Sequence, residues 1–186
     1  MTPTMKKILF LLLPLMLIAC GGNDGLSEED AKKVEGQKRI RAMEDSLFDN
    51  RAFDQRSAQA MVDVYKAYAS AYPQDSLAPE YLFRAAGTMK SMHDPEGSLN
   101  MYDRVIKDYP TWNRMVDVLY MKALTLDDDL DRLGEARTAY MQVISNYPDH
   151  PFARDARVMI DNLGLSDEEL IAKFQAMQQD TTTAEK

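Results

Sequence analysis

The chain has 186 residues, of which 30 are acidic and 22 basic, giving a formal net charge of −8. An acidic chain of this kind lacks the Lys and Arg clusters that contact nucleic-acid phosphates or anionic lipid headgroups, which excludes both partner classes. The two His residues and the single Cys leave few side chains for catalysis, and one Cys excludes an internal disulfide.

The first nineteen residues have the features of an export signal. Lys6 and Lys7 precede an apolar run at 8–18 of 11 residues, whereas a helix that spans a membrane needs roughly 20. The sequence Leu-Ile-Ala-Cys at 17–20 resembles the lipobox of bacterial lipoproteins. This resemblance implies cleavage before Cys20 and a membrane anchor formed by acyl chains on that residue. The alternative is an ordinary signal peptide followed by a chance cysteine.

The residue after the cysteine bears on location. Lipoproteins retained at the inner membrane often resemble one another in carrying Asp there, whereas this chain has Gly21. The resemblance therefore implies an outer-membrane lipoprotein of the cell envelope, facing either the periplasm or the surface. Loss of residues 1–19 removes two lysines and no acid, so the net charge changes from −8 to −10.

The mature chain predicts helices throughout. Its apolar residues recur three and four positions apart, and no stretch alternates as a strand would. Polar caps and prolines mark helix starts, as at Asp94-Pro95, and Ser166 with Glu169 forms a capping box just after Gly164. These signals predict helices over 28–48, 56–71, 77–91, 95–108, 112–127, 132–146, 151–162 and 167–178. The predicted domain plan is a signal peptide at 1–19, a lipidated flexible tether at 20–27, a helical domain at 28–178 and a disordered tail at 179–186.

A nine-residue phrase recurs three times within the helical domain. It occupies 65–73, 102–110 and 140–148, and each copy begins with Tyr and ends with Tyr-Pro. The prolines are 37 and then 38 residues apart. Such a period predicts stacked pairs of antiparallel helices, because one pair cannot bury its apolar face by itself. Each proline ends the second helix of its pair. The alternative is a compact helical bundle with coincidental spacing.

These phrases, together with Gly-Glu-Ala-Arg-Thr-Ala-Tyr at 134–140, resemble tetratricopeptide repeats (TPRs). They are similar to the longer-period kind found in BamD-like envelope lipoproteins and YbgF-like periplasmic proteins, over about residues 55–165. The small residue expected early in the second helix is Ala136 in one repeat, but Ser98 and Met61 in the others. The resemblance implies an all-α, TPR-like right-handed solenoid of about three repeats plus flanking helices. It also implies a scaffold that binds other envelope proteins or peptides, or an accessory role in outer-membrane protein assembly.

In this family the first helix of each pair lines the concave side, which implies a candidate partner-binding groove. Its residues are Glu80, Asp117 and Asp155, seven positions after the prolines, and Arg84, Met121 and Met159, eleven positions after them. Stacking would form an acidic ladder beside methionines, suited to a peptide or helix with a basic, partly apolar face. The alternative is a solvated acidic face with no binding role.

Other polar residues give little support for chemistry. The acidic segment 127–131 resembles the start of a calcium loop, but Arg132 and Thr138 occupy the positions that need Gly and Glu. We expect a solvated turn there, with Asp131 or a neighbour capping the next helix. His93 and His150 lie in turns without metal-ligand spacing. We therefore expect no enzyme activity, no cofactor and no metal. The rival is a hydrolase or metal protein that uses His93 or His150.

Two features flank the repeat plan. The amino-terminal half of the helix over 28–48 is expected to form a stalk or a cap over the first repeat. Trp112 is expected to pack at an inter-repeat turn, with an exposed binding anchor as the alternative. The sequence leaves the oligomeric state open, and structural self-association is a further possible role.

Overall fold

The computed structural model describes residues 27–49 and 54–184, so the leader, Cys20 and most of the tether lie outside the described residues. The described residues form eight α-helices and one π-helical turn, and they contain no strand. In chain order they are α1 (Glu28–Asp49), α2 (Gln55–Ala71), α3 (Ala78–Ser91), α4 (Pro95–Asp108), α5 (Met115–Leu124) with the π-helical turn Thr125–Asp129, α6 (Leu133–Asn146), α7 (Pro151–Asn162) and α8 (Asp167–Ala184). None of these helices is both long and apolar enough to cross a membrane.

The helices follow the sequence prediction closely, except at both ends of the fifth helix and at the end of the last. The fifth helix begins at Met115 rather than at 112, because residues 112–114 belong to a turn in which the Met115 amide donates to the Trp112 carbonyl at 3.0 Å. It then widens into the π-helical turn instead of ending near 127. The last helix continues to Ala184, so the segment expected as a tail from 179 is helical as far as that residue.

The recurring tyrosine–proline pair builds the same turn three times. Tyr72, Tyr109 and Tyr147 are the C-caps of α2, α4 and α6, and the amide of each donates to the carbonyl four residues earlier at 2.9–3.0 Å. The amide of the second residue after each proline then donates to the tyrosine carbonyl at 3.0 Å. Proline cannot extend the helix, so each pair passes to the next through one geometry.

The stacked pairs bury a continuous apolar interior. The tyrosines eight residues before the prolines are Tyr65, Tyr102 and Tyr140, and all three are at most 3% exposed. Helices α2 to α7 each pack along their sequence neighbours in single file. Two contiguous groups of buried residues form the interior, one around α1, α2 and α3 and the other from the end of α2 to α7. The fold is therefore a helical repeat rather than a bundle around one centre.

Helix α1 is a cap over the first repeat. Ile40 is fully buried against α2 and α3. In the amino-terminal half of α1, the Gln37 side chain donates to the Tyr68 hydroxyl at 2.7 Å, and Lys33 pairs with Asp75 at 3.4 Å. The contacts along both halves of α1 agree with the cap and not with a projecting stalk.

The capping signals at the carboxyl-terminal end are formed as expected. The Ser166 amide donates to the Glu169 carboxylate at 2.8 Å, and the Glu169 amide donates to the Ser166 hydroxyl at 3.3 Å. Gly164 has a φ of +81°, a left-handed conformation that favours glycine at the end of α7.

One buried polar atom in the repeat interior lacks a well-formed hydrogen bond, and this generates a prediction. Ser98 is fully buried on α4, and its hydroxyl has no partner at full hydrogen-bond geometry among the described residues, although its interaction with the Tyr102 hydroxyl opposes the rise that burial causes in the Tyr102 pKa. Ala136 occupies the equivalent place on α6, twelve residues before its proline, and is also fully buried. A buried polar group without a hydrogen bond costs about 1–3 kcal/mol. We expect Ser98→Ala to raise the free energy of unfolding by about 1 kcal/mol, measured by denaturant titration.

The matched control is Ala136→Ser, which should lower the free energy of unfolding by a similar amount. A Ser98→Ala protein that unfolds at lower denaturant than the parent would show that the hydroxyl has a stabilising role.

Candidate partner-binding surface

The structure joins three of the six candidate groove residues into one line of alternating charge. Five residues form it, and we call them the charged strip: Glu44, Arg84, Glu80, Arg114 and Asp117. The strip crosses α1, α3 and α5, so it runs across the stacked pairs rather than along one helix. We call the surface formed by the first helices of the pairs, α3, α5 and α7, the first-helix face. The charged strip is the part of this face, extended to α1, on which opposite charges pair.

Each link of the charged strip is a direct ion pair. Arg84 bonds Glu44 at 2.7 Å and Glu80 at 2.8 Å. Arg114 bonds the second oxygen of Glu80 at 2.8 Å and Asp117 at 2.8 Å. Burial disfavours the charged forms of the two arginines, yet these hydrogen bonds raise the pKa of each above its ordinary value. Glu80 and Asp117 are therefore already bound by arginine.

Aromatic rings support the centre of the strip. The guanidinium carbon of Arg114 lies 4.7 Å from the centre of the Phe83 ring and 5.5 Å from that of Trp112. The Phe83 and Trp112 rings are 5.9 Å apart, and both are partly buried. Trp112 thus packs at the inter-repeat turn, as the sequence suggests, and fixes Arg114 between two helix pairs.

The remaining candidates lie beyond the end of the strip. Asp155 on α7 is exposed and forms no ion pair with the described residues. It lies near Tyr120, whose pKa is raised mainly by burial and to a smaller extent by the negative charges of Asp155 and Asp128. Met121 and Met159 are partly buried and pack against the interior, so each presents only part of its side chain. The predicted ladder therefore has two paired acids and one unpaired acid.

Sequence counting missed two members of the strip. Glu44 lies in a helix that no tyrosine–proline phrase precedes, and Arg114 stands near the start of its helix, outside the counted positions. The within-helix spacings, Glu80 to Arg84 and Arg114 to Asp117, are signals that could have indicated local pairs. The links between helices depend on how the pairs stack.

The other polar residues have structural roles. His150 caps α7, its Nδ1 accepting from the Phe152 amide at 3.2 Å, and His93 lies in a turn with a φ of +59°. Asp127 accepts from the Tyr140 hydroxyl at 3.1 Å, and burial raises the pKa of its carboxyl group. The described residues contain no group of three or more potential ligands that could hold a metal ion.

The expected cap on α6 is absent. Its N-cap residue is Arg132, which makes no side-chain capping bond, and Asp131 adopts a φ of +51°. The expectation that the side chain of Asp131 or a neighbour caps α6 is therefore wrong. The Arg132 amide donates to the Leu126 carbonyl of the π-helical turn at 2.8 Å, which fixes the connection into α6 but leaves its first amides without a side-chain cap.

The tetratricopeptide repeat family model matches residues 117–150. The match covers most of α5, the π-helical turn, α6 and the turn before α7. No curated protein matches the chain. The match and the all-helical stack together define a TPR-like helical repeat solenoid. Repeats of this family are typically non-catalytic modules that bind proteins, so the fold indicates a protein-interaction scaffold.

The charged strip yields a stability prediction. Replacing Arg114 with Met would remove two ion pairs and the contact with Phe83, leaving Glu80 and Asp117 without this cation. These pairs are partly buried, whereas fully exposed pairs contribute roughly 0.2–1 kcal/mol each and a cation–π contact about as much. We therefore expect a loss of about 1–2 kcal/mol. Denaturant unfolding at low and high salt measures this loss in the free energy of unfolding. High salt should reduce the difference in stability between the variant and the parent.

Arg137→Met is the matched control, because Arg137 on α6 is exposed and has no ion pair with the described residues. Its substitution should change stability by less than about 0.5 kcal/mol. Equal losses in the two variants would show that the strip does not hold α3 to α5.

Proposed function

We propose that this protein is a lipid-anchored repeat scaffold that binds another protein in the bacterial cell envelope. The observation that supports the scaffold role is the stack of helix pairs with a charged first-helix face. The lipobox-like sequence ending at Cys20 supports the anchor, and Gly21 supports the outer membrane as the site of attachment. Several acyl chains hold a protein at a bilayer almost permanently.

The partner of this face is a peptide or helix with basic and apolar side chains. Three acids and two arginines make up the charged strip, and the unpaired Asp155 lies beyond it. At Asp117 a basic residue of the partner would have to displace Arg114, which already pairs with that carboxylate. At Asp155 no such pair has to be broken. Met121 and Met159 add adaptable apolar contacts at the same end. We therefore place the main contact at α5 and α7.

A role as accessory in outer-membrane protein assembly is the narrower form of this proposal. It draws support from the similarity of the tyrosine–proline phrases to the repeats of BamD-like lipoproteins. Its partners would be other members of an assembly complex at the outer membrane. Identification of the captured protein separates this role from a general scaffold.

The anchor is tested in a bacterial host that processes lipoproteins. Cys20→Ser should abolish acylation and move the protein from the membrane to the soluble fraction, as measured by incorporation of labelled fatty acid and by fractionation. Asn23→Ser is the matched control in the same segment. A Cys20→Ser protein that still incorporates fatty acid and stays in the membrane fraction would refute the anchor.

The binding surface is tested by photocrosslinking in membranes. A photoreactive residue at Met121 should capture a partner, and Asp155→Lys should reduce the yield several-fold, because it places a like charge against a basic partner. Asp63→Lys, an exposed substitution on α2 with the same charge change, should leave the yield unchanged. Equal yields from the Asp155→Lys protein and the parent would show that this end of the face does not bind a basic partner.

A further inference from the structure

The solenoid ends at α7 because its sequence changes at positions that earlier first helices bury. The positions are six, nine and thirteen residues after each proline. They hold Pro79, Leu82 and Ala86 in α3, and Val116, Leu119 and Ala123 in α5, all buried. In α7 the equivalent residues are Arg154, Arg157 and Asp161, all exposed. No described helix packs along this side of α7 as α4 packs along α3.

A fourth position on α7 remains apolar and uncovered. Ten residues after the prolines, Phe83 lies under Arg114 and Tyr120 lies under the stacked ring of Phe152, 4.5 Å away. The equivalent residue on α7 is Val158, which is 52% exposed. We call Arg154, Arg157, Val158 and Asp161 the end face of α7.

Helix α8 has an exposed apolar side of its own. Ile171 is 57% exposed and Phe174 is 52% exposed, one turn apart on the same helix. Lys173 holds α8 to the end of α7 by donating to the Asp161 carbonyl at 3.1 Å and to the Asn162 side chain at 2.7 Å. The large hydrophobic residues that are exposed in the described chain all lie in α6, α7 or α8.

The distribution of charge favours contact of α8 with α7 of a second copy of the chain over contact with α7 of its own chain. A hairpin within one chain is antiparallel, so it would bring the acids of the first turn of α8, Glu168 and Glu169, beside Asp161 at the end of α7. Arg154 would lie at the opposite end. Only a parallel arrangement brings Glu168 to Arg154 and Arg157, and the short connection at 163–166 does not allow it within one chain.

We propose that two copies of the chain associate by exchanging these helices. Helix α8 of each copy lies parallel to α7 of the other, where Ile171 and Phe174 cover Val158 and Glu168 pairs with the two arginines. The arrangement is isologous, so one two-fold axis generates both contacts and closes the assembly as a dimer. It leaves the charged strip of each copy free for the proposed partner.

The test uses two full-length chains with different tags, co-expressed in one host. One carries Val158→Cys and the other Phe174→Cys, and both retain Cys20. Exchange of helices predicts a disulfide-linked product that contains both tags. Ser145→Cys, at an exposed position on α6, replaces Val158→Cys in the control pair and should give no such product above background.

Charge reversal tests the proposed pairing within the same assay. Arg154→Glu with Arg157→Glu should lower the yield of the mixed product by roughly tenfold, since like charges would then oppose Glu168. Adding Glu168→Lys to the other chain should restore most of it, which a folding defect would not do. Reversal of Lys107 and Arg137, two exposed basic residues elsewhere, is the charge-matched control.

Absence of the mixed product with the parent charges would overturn the proposal, as would a yield that charge reversal does not change. Either result would leave the test at Asp155 unaffected, because that test reads capture of a different protein at another face.

Discussion

Each helix pair of this protein leaves one apolar face that only the next pair can bury, and the rest of the structure depends on that constraint. Tyr65, Tyr102 and Tyr140 fill the interior at one place in each period. The Tyr-Pro steps then end each second helix with the same hydrogen bonds, so the chain enters the next pair in the same direction each time. A regular translation of pairs follows, and the interior becomes continuous instead of closing around one centre.

The arrangement of charges is a consequence of the same stacking. Arg84 and Arg114 lie where successive first helices approach, and each arginine bonds carboxylates of two different helices. Across the α5–α7 junction, Phe152 occupies the place equivalent to Arg114 and stacks on Tyr120, and Asp155 forms no ion pair within the described part of the chain. The repeat thus changes from internally paired to unpaired charge along one face, which is why the partner contact is assigned to that end.

The two ends of the solenoid are finished differently. At the beginning, α1 covers the first repeat through the buried Ile40 and the bond from Gln37 to Tyr68. At the other end, charged residues replace buried apolar ones on α7, and α8 turns away with Ile171 and Phe174 exposed. The two surfaces that we propose for binding are therefore separate: the first-helix face for a basic partner, and the end face of α7 for α8 of a second copy.

The sequence by itself determined the helices, their antiparallel pairing and the turns, because apolar spacing, caps and Tyr-Pro steps act within a few residues of one another. It also placed Glu80, Arg84 and Asp117 on the first-helix face through the repeat period. The start of the fifth helix at Met115 and the π-helical turn before α6 rest on local hydrogen bonds that the repeat period does not reveal. Only the tertiary structure decided that Arg84 pairs with Glu44 and that Arg114 pairs with Glu80. These features depend on contacts between residues up to about forty positions apart, such as Glu44 and Arg84. Local periodicity carries no information about the distance between two helices. Packing sets that distance, and only then do side chains on different helices come within hydrogen-bonding range.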